Sequence, residues 1–306
     1  MLGRGRARVY PGPTFMLTLD MHRLRALLLL AAWVPAAHPA CAQSPAEQPP
    51  STAASPIVLD YEIDPRANFT KAAFRFWAPQ QDQTQPIHGV VVLTPGSEGD
   101  GRKKVNDPVW QAFARSHGLA LVACFLQGEN SYDASGGTGD ALLEAIAHFA
   151  RDSSHSELAL DPLLLYGESA GGQFNYNFAF WKPARVLAFV VNKGGFYNDE
   201  PPAPLAYAIP GLFILGQDDE QFRIDAITGK WTEGRRRGAL WALAPQPHSG
   251  HKFSKTAAIA QVFFDAVLQF RLPNPAASTA MQPIAETKGW LGDLTTYEVQ
   301  TLQPPL

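Results

Sequence analysis

The feature that most constrains the fold is an alternation of short, continuous apolar segments with longer segments of helical periodicity. Apolar segments without a polar residue at every second position are typical of strands buried on both faces of a parallel sheet. The pattern predicts an α/β fold: a single domain with a mostly parallel central sheet and helices on both of its faces. The predicted strands cover residues 57–63, 72–77, 87–93, 119–126, 163–166, 186–191, 212–215 and 240–244. The predicted helices cover residues 106–117, 139–151, a segment that ends at 181, and 254–270.

The first 42 residues have the composition of an export leader. Two arginines precede a short apolar stretch at residues 26–37, and a small-x-small sequence ends at Ala42, which is the form that a signal peptidase accepts. Because a bilayer span needs about 20 apolar residues, the stretch is too short to be a membrane anchor. We expect translation to start at Met21, or alternatively at Met16, and cleavage to follow Ala42 rather than lipidation at Cys41. The mature chain is then secreted or periplasmic, without a membrane span.

Composition divides the remainder of the chain into three parts. Residues 43–56 are rich in Pro, Ala and Ser and are predicted to form a disordered linker. Residues 57–272 contain every predicted strand and helix, and their number suits one large α/β domain. Residues 273–306 are rich in Pro, and we expect an irregular C-terminal extension there.

The formal net charge of −3 is distributed unevenly along the chain. Residues 1–42 contain five Arg and one Asp, so the rest carries −7. Affinity for nucleic acid comes mostly from Lys and Arg that neutralise phosphates, and no nucleic-acid partner is therefore predicted. We interpret the one basic run, Arg235-Arg236-Arg237, as a surface turn. Outside the leader the only cysteine is Cys124, in an apolar segment, which predicts a buried, unreactive thiol and no internal disulfide.

The strongest local signal is Gly167-Glu168-Ser169-Ala170-Gly171, between a predicted strand and a predicted helix. A G-x-S-x-G sequence in that position is typical of a tight turn that exposes a nucleophilic serine above a sheet. The flanking glycines remove the Cβ atoms that would clash in such a turn. The pattern predicts that Ser169 is a nucleophile.

A serine hydroxyl needs a general base, and the base needs an acid that orients it. After G-x-S-x-G the expected chain order is Ser, acid, His. Asp218 and Asp219 follow one predicted strand, and His248 and His251 follow the next, so each role has two candidates. We favour Asp219, from its distance to the end of the strand, and His251, because Gly250 allows a turn just before the last helix.

The reaction also requires donors for an oxyanion. One is expected from the backbone N–H of Ala170, and the other from Ser97 in the glycine-rich loop 94–101. That loop lacks the Lys-Ser/Thr pair of a phosphate-binding loop. The His and Cys residues do not have zinc-site spacing, and the run Asp218-Asp219-Glu220 does not fit a calcium loop. No metal or organic cofactor is therefore predicted.

Residues 57–272 resemble the α/β-hydrolase superfamily in the arrangement of these motifs. Pro95-Gly96-Ser97 is similar to the oxyanion segment of secreted polyester hydrolases and of esterases like dienelactone hydrolase. The resemblance implies an α/β-hydrolase catalytic domain and an exported serine esterase. It also implies that Ser169, His251 and Asp219 cleave a small-molecule or polymeric carboxylic ester through an acyl-enzyme.

Two other functions are compatible with the same residues. A peptidase or amidase uses the same three groups on an amide bond. A non-catalytic binding module could also be built on this scaffold, since fold alone does not determine function. We favour the enzyme because the serine, the histidine candidates and both glycines of the turn are all present.

Overall fold

The computed structural model describes residues 55–79, 86–197, 204–275 and 280–284, and the backbone of 291–292 and 299–300. The predicted leader at 1–42 and nearly all of the predicted linker at 43–56 lie outside these residues. Among the helices of the described part, none is both long and apolar enough to cross a membrane.

The centre of the fold is an eight-stranded sheet with the strand order β1-β2-β4-β3-β5-β6-β7-β8. Its strands are β1 (Ile57–Ile63), β2 (Lys71–Ala78), β3 (Val90–Thr94), β4 (Ala120–Gln127), β5 (Leu163–Glu168), β6 (Val186–Asn192), β7 (Gly211–Gly216) and β8 (Trp241–Gln246). β2 is antiparallel to both of its neighbours, β1 and β4, and the six strands from β4 to β8 in this order pair in parallel. The prediction of a mostly parallel central sheet is thus confirmed.

Helices cover both faces of this sheet, as predicted. They are α1 (Pro108–His117), α2 (Thr138–Asp152), α3 (Ala170–Trp181), α4 (Pro204–Tyr207), α5 (Gln221–Arg236) and α6 (Thr256–Arg271). On one face, Trp110 of α1 and Phe264 of α6 belong to one buried apolar cluster. On the other face, Phe149 of α2, Phe178 of α3 and Trp231 of α5 belong to a second cluster. Burial of these two clusters against the sheet is the main stabilising term of the fold.

Helix α1 illustrates how local sequence sets its boundaries. The Asp107 side chain accepts a hydrogen bond from the backbone N–H of Val109 at 2.8 Å, and Pro108 occupies the first turn. Gly118 ends the helix in the left-handed conformation, with φ +63°. The predicted end at residue 117 is correct, whereas the helix begins at Pro108 rather than at the predicted residue 106.

The fold differs from the prediction in two helices and in the C-terminal extension. Helices α4 and α5 were not predicted, and the arginine run interpreted as a surface turn ends α5 instead. Helix α5 carries Gly234 because the indole of Trp241 packs there, and a Cβ at this position would overlap the six-membered ring. In the extension predicted to be irregular, Leu291–Gly292 and Val299–Gln300 form a short antiparallel pair, β9 and β10.

Candidate active site

Ser169 lies in the tight turn between β5 and α3, with φ 50° and ψ −119°. Such a conformation costs a non-glycine residue about 1–3 kcal/mol and must be stabilised by its surroundings. Its N–H donates to the carbonyl of Asn192 at 2.8 Å, and its own carbonyl accepts from the N–H of Gly172 at 2.9 Å. The serine is therefore fixed between β6 and the first turn of α3.

The two glycines of the G-x-S-x-G sequence are sterically required. A Cβ on Gly167 would lie 2.6 Å from the backbone nitrogen of Gly172. A Cβ on Gly171 would lie 2.5 Å from the carbonyl oxygen of Pro95. In both cases the obstacle is backbone, which a rotamer change cannot relieve. The approach at Gly167 closes the turn on itself, and the approach at Gly171 brings the turn against the loop that follows β3.

The structure brings together Ser169, His251 and Asp219, which come from three separate loops. Nε2 of His251 lies 3.0 Å from the Ser169 hydroxyl, and Nδ1 lies 3.0 Å from Oδ2 of Asp219. The Asp219 side chain is only 2% exposed. This geometry lets the imidazole accept the serine proton while the carboxylate stabilises the resulting imidazolium.

The second oxygen of the Asp219 carboxylate is also engaged. Oδ1 accepts the backbone N–H of Glu220 at 2.8 Å and lies 3.6 Å from Nε of Arg223. One oxygen therefore faces the imidazole while the other is held by its own loop and by the first turn of α5. That arrangement fixes the plane of the carboxylate relative to His251.

The alternative candidates, Asp218 and His248, are exposed. The backbone N–H of Asp218 donates to the carbonyl of Ser249 at 3.0 Å, and His248 has φ 52°. Among the described residues, neither side chain is hydrogen-bonded to Ser169 or His251. The structure thus brings Asp219 and His251, and not their neighbours, to the serine.

The two predicted oxyanion donors line one small cleft beside the serine. Ser97 and Ala170 face it, together with Ser131 and Tyr132 from the loop after β4. Within the described residues, the backbone N–H groups of Ser97 and Ala170 have no hydrogen-bond acceptor. Ala170 also begins α3, where the helix dipole favours negative charge. Both N–H groups are thus free to bind an anionic oxygen.

An exposed aromatic pair joins the loop after β6 to the first turn of α5. Phe196 is 62% exposed, and its ring centroid lies 5.7 Å from that of Phe222 in α5. Tyr197, by contrast, points inward, and its hydroxyl donates to the carbonyl of Gly194 at 3.1 Å. Burial raises the pKa of this phenol above its ordinary value.

Two polar contacts near the serine were not predicted from sequence. Glu168 accepts a hydrogen bond from Nζ of Lys104 at 2.8 Å, which ties the turn to the loop after β3. Lys193, just after β6, directs its ammonium into the loop that carries His251. The available signal for Lys193 was its position directly after a strand whose residues are nearly all apolar.

The described part of the chain contains no cluster of three or more His, Cys, Asp or Glu residues that could hold a metal ion. Its one cysteine, Cys124, is buried, and burial raises the pKa of the thiol to about 12. The thiolate needed for reactivity is therefore strongly disfavoured.

No protein-family model matches the sequence, and a search of curated proteins finds no match. Solved structures do match the fold. A thermostable esterase superposes with a TM-score of 0.55 and 13% identity, over 69% of this chain and 62% of its own. A ferulic acid esterase superposes with a TM-score of 0.51 and 13% identity, over 69% of this chain and 97% of its own. The protein has the α/β-hydrolase fold.

Proposed function

We propose that this protein is an exported serine hydrolase that cleaves carboxylic esters. The observation that carries the proposal is the continuous hydrogen-bonded series from Asp219 through His251 to Ser169, at the turn where the fold exposes a nucleophile. The esterases that share the fold add support for an ester rather than another acyl compound as substrate.

The mechanism follows from the positions of the hydrogen-bonding groups. Oγ of Ser169 attacks the acyl carbonyl while Nε2 of His251 takes its proton, and Asp219 stabilises the imidazolium. The N–H groups of Ala170 and Ser97 bind the oxyanion. The imidazolium then donates its proton to the leaving alkoxide. Water, activated by His251, hydrolyses the acyl-enzyme and restores the serine.

Labelling with a fluorophosphonate tests the assignment of the nucleophile. Ser169→Ala should abolish labelling, whereas Ser131→Ala, which removes another hydroxyl from the same cleft, should leave it intact. Labelling that persists in Ser169→Ala, or that maps to a different serine, would contradict the proposal.

Substrate preference needs a second assay because the same groups also cleave amides. p-Nitrophenyl esters and p-nitroanilides that carry the same acyl groups should be compared, and we expect turnover of the esters to dominate. Higher kcat/KM on the anilides would instead assign an amidase or peptidase. A folded wild-type protein that neither reacts with the probe nor turns over either series would indicate a binding module.

Export is the part of the proposal that depends on the leader alone. Intact-mass measurement of protein recovered outside the cytoplasm should place the mature N-terminus at or near Gln43. A recovered chain that still begins at Met21 would rule out the predicted cleavage.

A further inference from the structure

Lys193 is a fully buried lysine at the carboxyl end of β6. Its exposed fraction is 0%, and its backbone adopts φ 59°. Burial of an ammonium group is costly unless its N–H donors find acceptors. Burial lowers the pKa of Lys193 from its ordinary value, and the negative charge of Asp219 acts in the opposite direction. The location of the acceptors that bind this ammonium group therefore indicates what the buried side chain does.

All three acceptors of the Lys193 ammonium lie on the loop that carries His251. Nζ donates to Oγ of Ser249 at 2.8 Å, to the carbonyl of Gly250 at 2.8 Å, and to the carbonyl of Lys252. Two of these acceptors are the carbonyls of the residues directly before and after His251. The ammonium thus bridges the backbone on both sides of the histidine.

His251 has little other backbone support. Within the described residues, its own N–H and carbonyl make no hydrogen bond. The loop is joined to the end of β7 through the N–H of Asp218, which donates to Ser249. Within the loop, the N–H of Lys252 donates to the carbonyl of Gly250 at 2.8 Å, and beyond it the carbonyl of Phe253 accepts from the hydroxyl of Thr256 in α6. Lys193 is therefore the group that restrains the segment 250–252 most directly.

We propose that Lys193 is a positioning residue that holds the imidazole of His251 between Ser169 and Asp219. Its ammonium fixes the carbonyls on either side of the histidine, and so sets where Nε2 meets the serine hydroxyl. The proposal rests on the proposed function. A displacement of about 1 Å in a reacting group can lower the rate about a hundredfold, so loss of this restraint acts on kcat.

A purely structural role is the competing explanation, and Arg271 provides the matched control for it. This second buried cation donates to the carbonyls of Val186 at 3.2 Å and Leu187 at 2.6 Å, at the opposite end of β6. Both side chains satisfy backbone carbonyls in the interior. Only the acceptors of Lys193 flank the histidine, so loss of Arg271 should affect stability without affecting the chemical step.

The experiment compares Lys193→Met, Lys193→Gln and Arg271→Met in the full-length mature chain. Melting temperature, kcat and KM for a short-chain p-nitrophenyl ester are measured for each, well below the lowest melting temperature. We expect kcat of Lys193→Met to fall by about a hundredfold or more, with KM within about threefold of wild type. Lys193→Gln keeps an N–H donor and should recover part of the loss. Arg271→Met should have a lower melting temperature than wild type and an unchanged kcat.

A second readout does not depend on turnover. In the Ser169→Ala background, the Nδ1 proton of His251 should give a downfield NMR resonance because it is hydrogen-bonded to Asp219. We expect Lys193→Met to remove or broaden this resonance and Arg271→Met to preserve it. If Lys193→Met does not yield folded protein, Lys193→Gln carries both measurements.

The outcomes separate the two proposals. If kcat and the resonance in the Lys193 variants match those of Arg271→Met, the positioning role is overturned. If wild type is inactive on every ester but the resonance still depends on Lys193, the proposed function fails while the restraint on His251 stands.

Discussion

The carboxylate of Asp219 lies 3.0 Å from Nδ1 of His251, although 32 positions separate them in sequence. The two loops that carry these residues also meet through their backbones. The N–H of Asp218 donates to the carbonyl of Ser249, and a Cβ on Gly216 would lie 2.7 Å from the carbonyl of Gly250. Acid and base are therefore fixed relative to one another by contacts that do not involve the serine.

Replacement of the two histidines should have very different effects. His251→Ala removes the base and should lower kcat by a factor on the order of 10⁶, judging from a protease triad. His248→Ala removes an exposed side chain and should keep kcat within roughly tenfold, or about 1.4 kcal/mol of barrier. Steady-state kinetics with a short-chain ester, at unchanged melting temperature, measure both. The reverse ranking would show that the base has been misassigned.

The two aspartates make a parallel comparison. Asp219→Asn loses the charge that stabilises the imidazolium and should lower kcat by about 10⁴-fold. Asp218→Asn changes an exposed side chain and keeps the backbone bond to Ser249, so its kcat should remain close to that of wild type. Circular dichroism and melting temperature serve as controls for folding. Equal losses in the two variants would contradict the assignment of Asp219.

The turn at Ser169 should not tolerate a side chain at its second glycine. Gly171→Ala places a Cβ 2.5 Å from the carbonyl oxygen of Pro95, and we expect about 3 kcal/mol or more of lost stability. Gly229→Ala is the control, because nothing lies within 4 Å of a Cβ there and the site is an exposed position of α5. That variant should gain about 0.4–1 kcal/mol. Urea unfolding measures both changes, and a stable Gly171→Ala would contradict the packing argument.

Much of the sheet was predictable because its strands are buried on both faces. Their apolar residues are therefore consecutive and stand out from the surrounding sequence. Helix α5 was missed for the opposite reason: only Ile227, Trp231 and Gly234 in it are buried, so its apolar periodicity is weak. Strand ends were the other weak point, since β5 extends through Glu168 into the turn itself.

Chain order and spacing brought the nucleophile, the acid and the base into one prediction, but spacing alone left two aspartates and two histidines open. The choice depends on where each loop leaves the sheet, which is a three-dimensional property. Lys193 could not be recognised for the same reason. Two of its three acceptors are backbone carbonyls 57 and 59 residues away. Every residue has a backbone carbonyl, so the sequence carries no signal for such a contact.

Asp161 should make the stability of the protein depend on pH. Its side chain lies in an interior position, with 2% exposure, and Oδ2 has no hydrogen-bond partner within the described residues. Burial, with the nearby charge of Glu157, raises its pKa from 3.8 to about 7, while Arg185 acts in the opposite direction. Between these two values the folded state binds more protons than the unfolded state. The contribution of Asp161 to stability is therefore greatest at acid pH and is lost as the pH rises towards 7.

Asp161→Asn removes this titration and should stabilise the protein at neutral pH by about 1–4 kcal/mol relative to its effect in acid. Urea unfolding of wild type and variant, from about pH 4 to about pH 8, gives the difference in free energy of unfolding at each pH. Asp64→Asn, at an exposed position, controls for the loss of one negative charge. The difference should grow across this range for Asp161→Asn and stay nearly constant for Asp64→Asn. A constant difference for both variants would mean that Asp161 is already ionised in the folded protein at acid pH, and that burial does not raise its pKa.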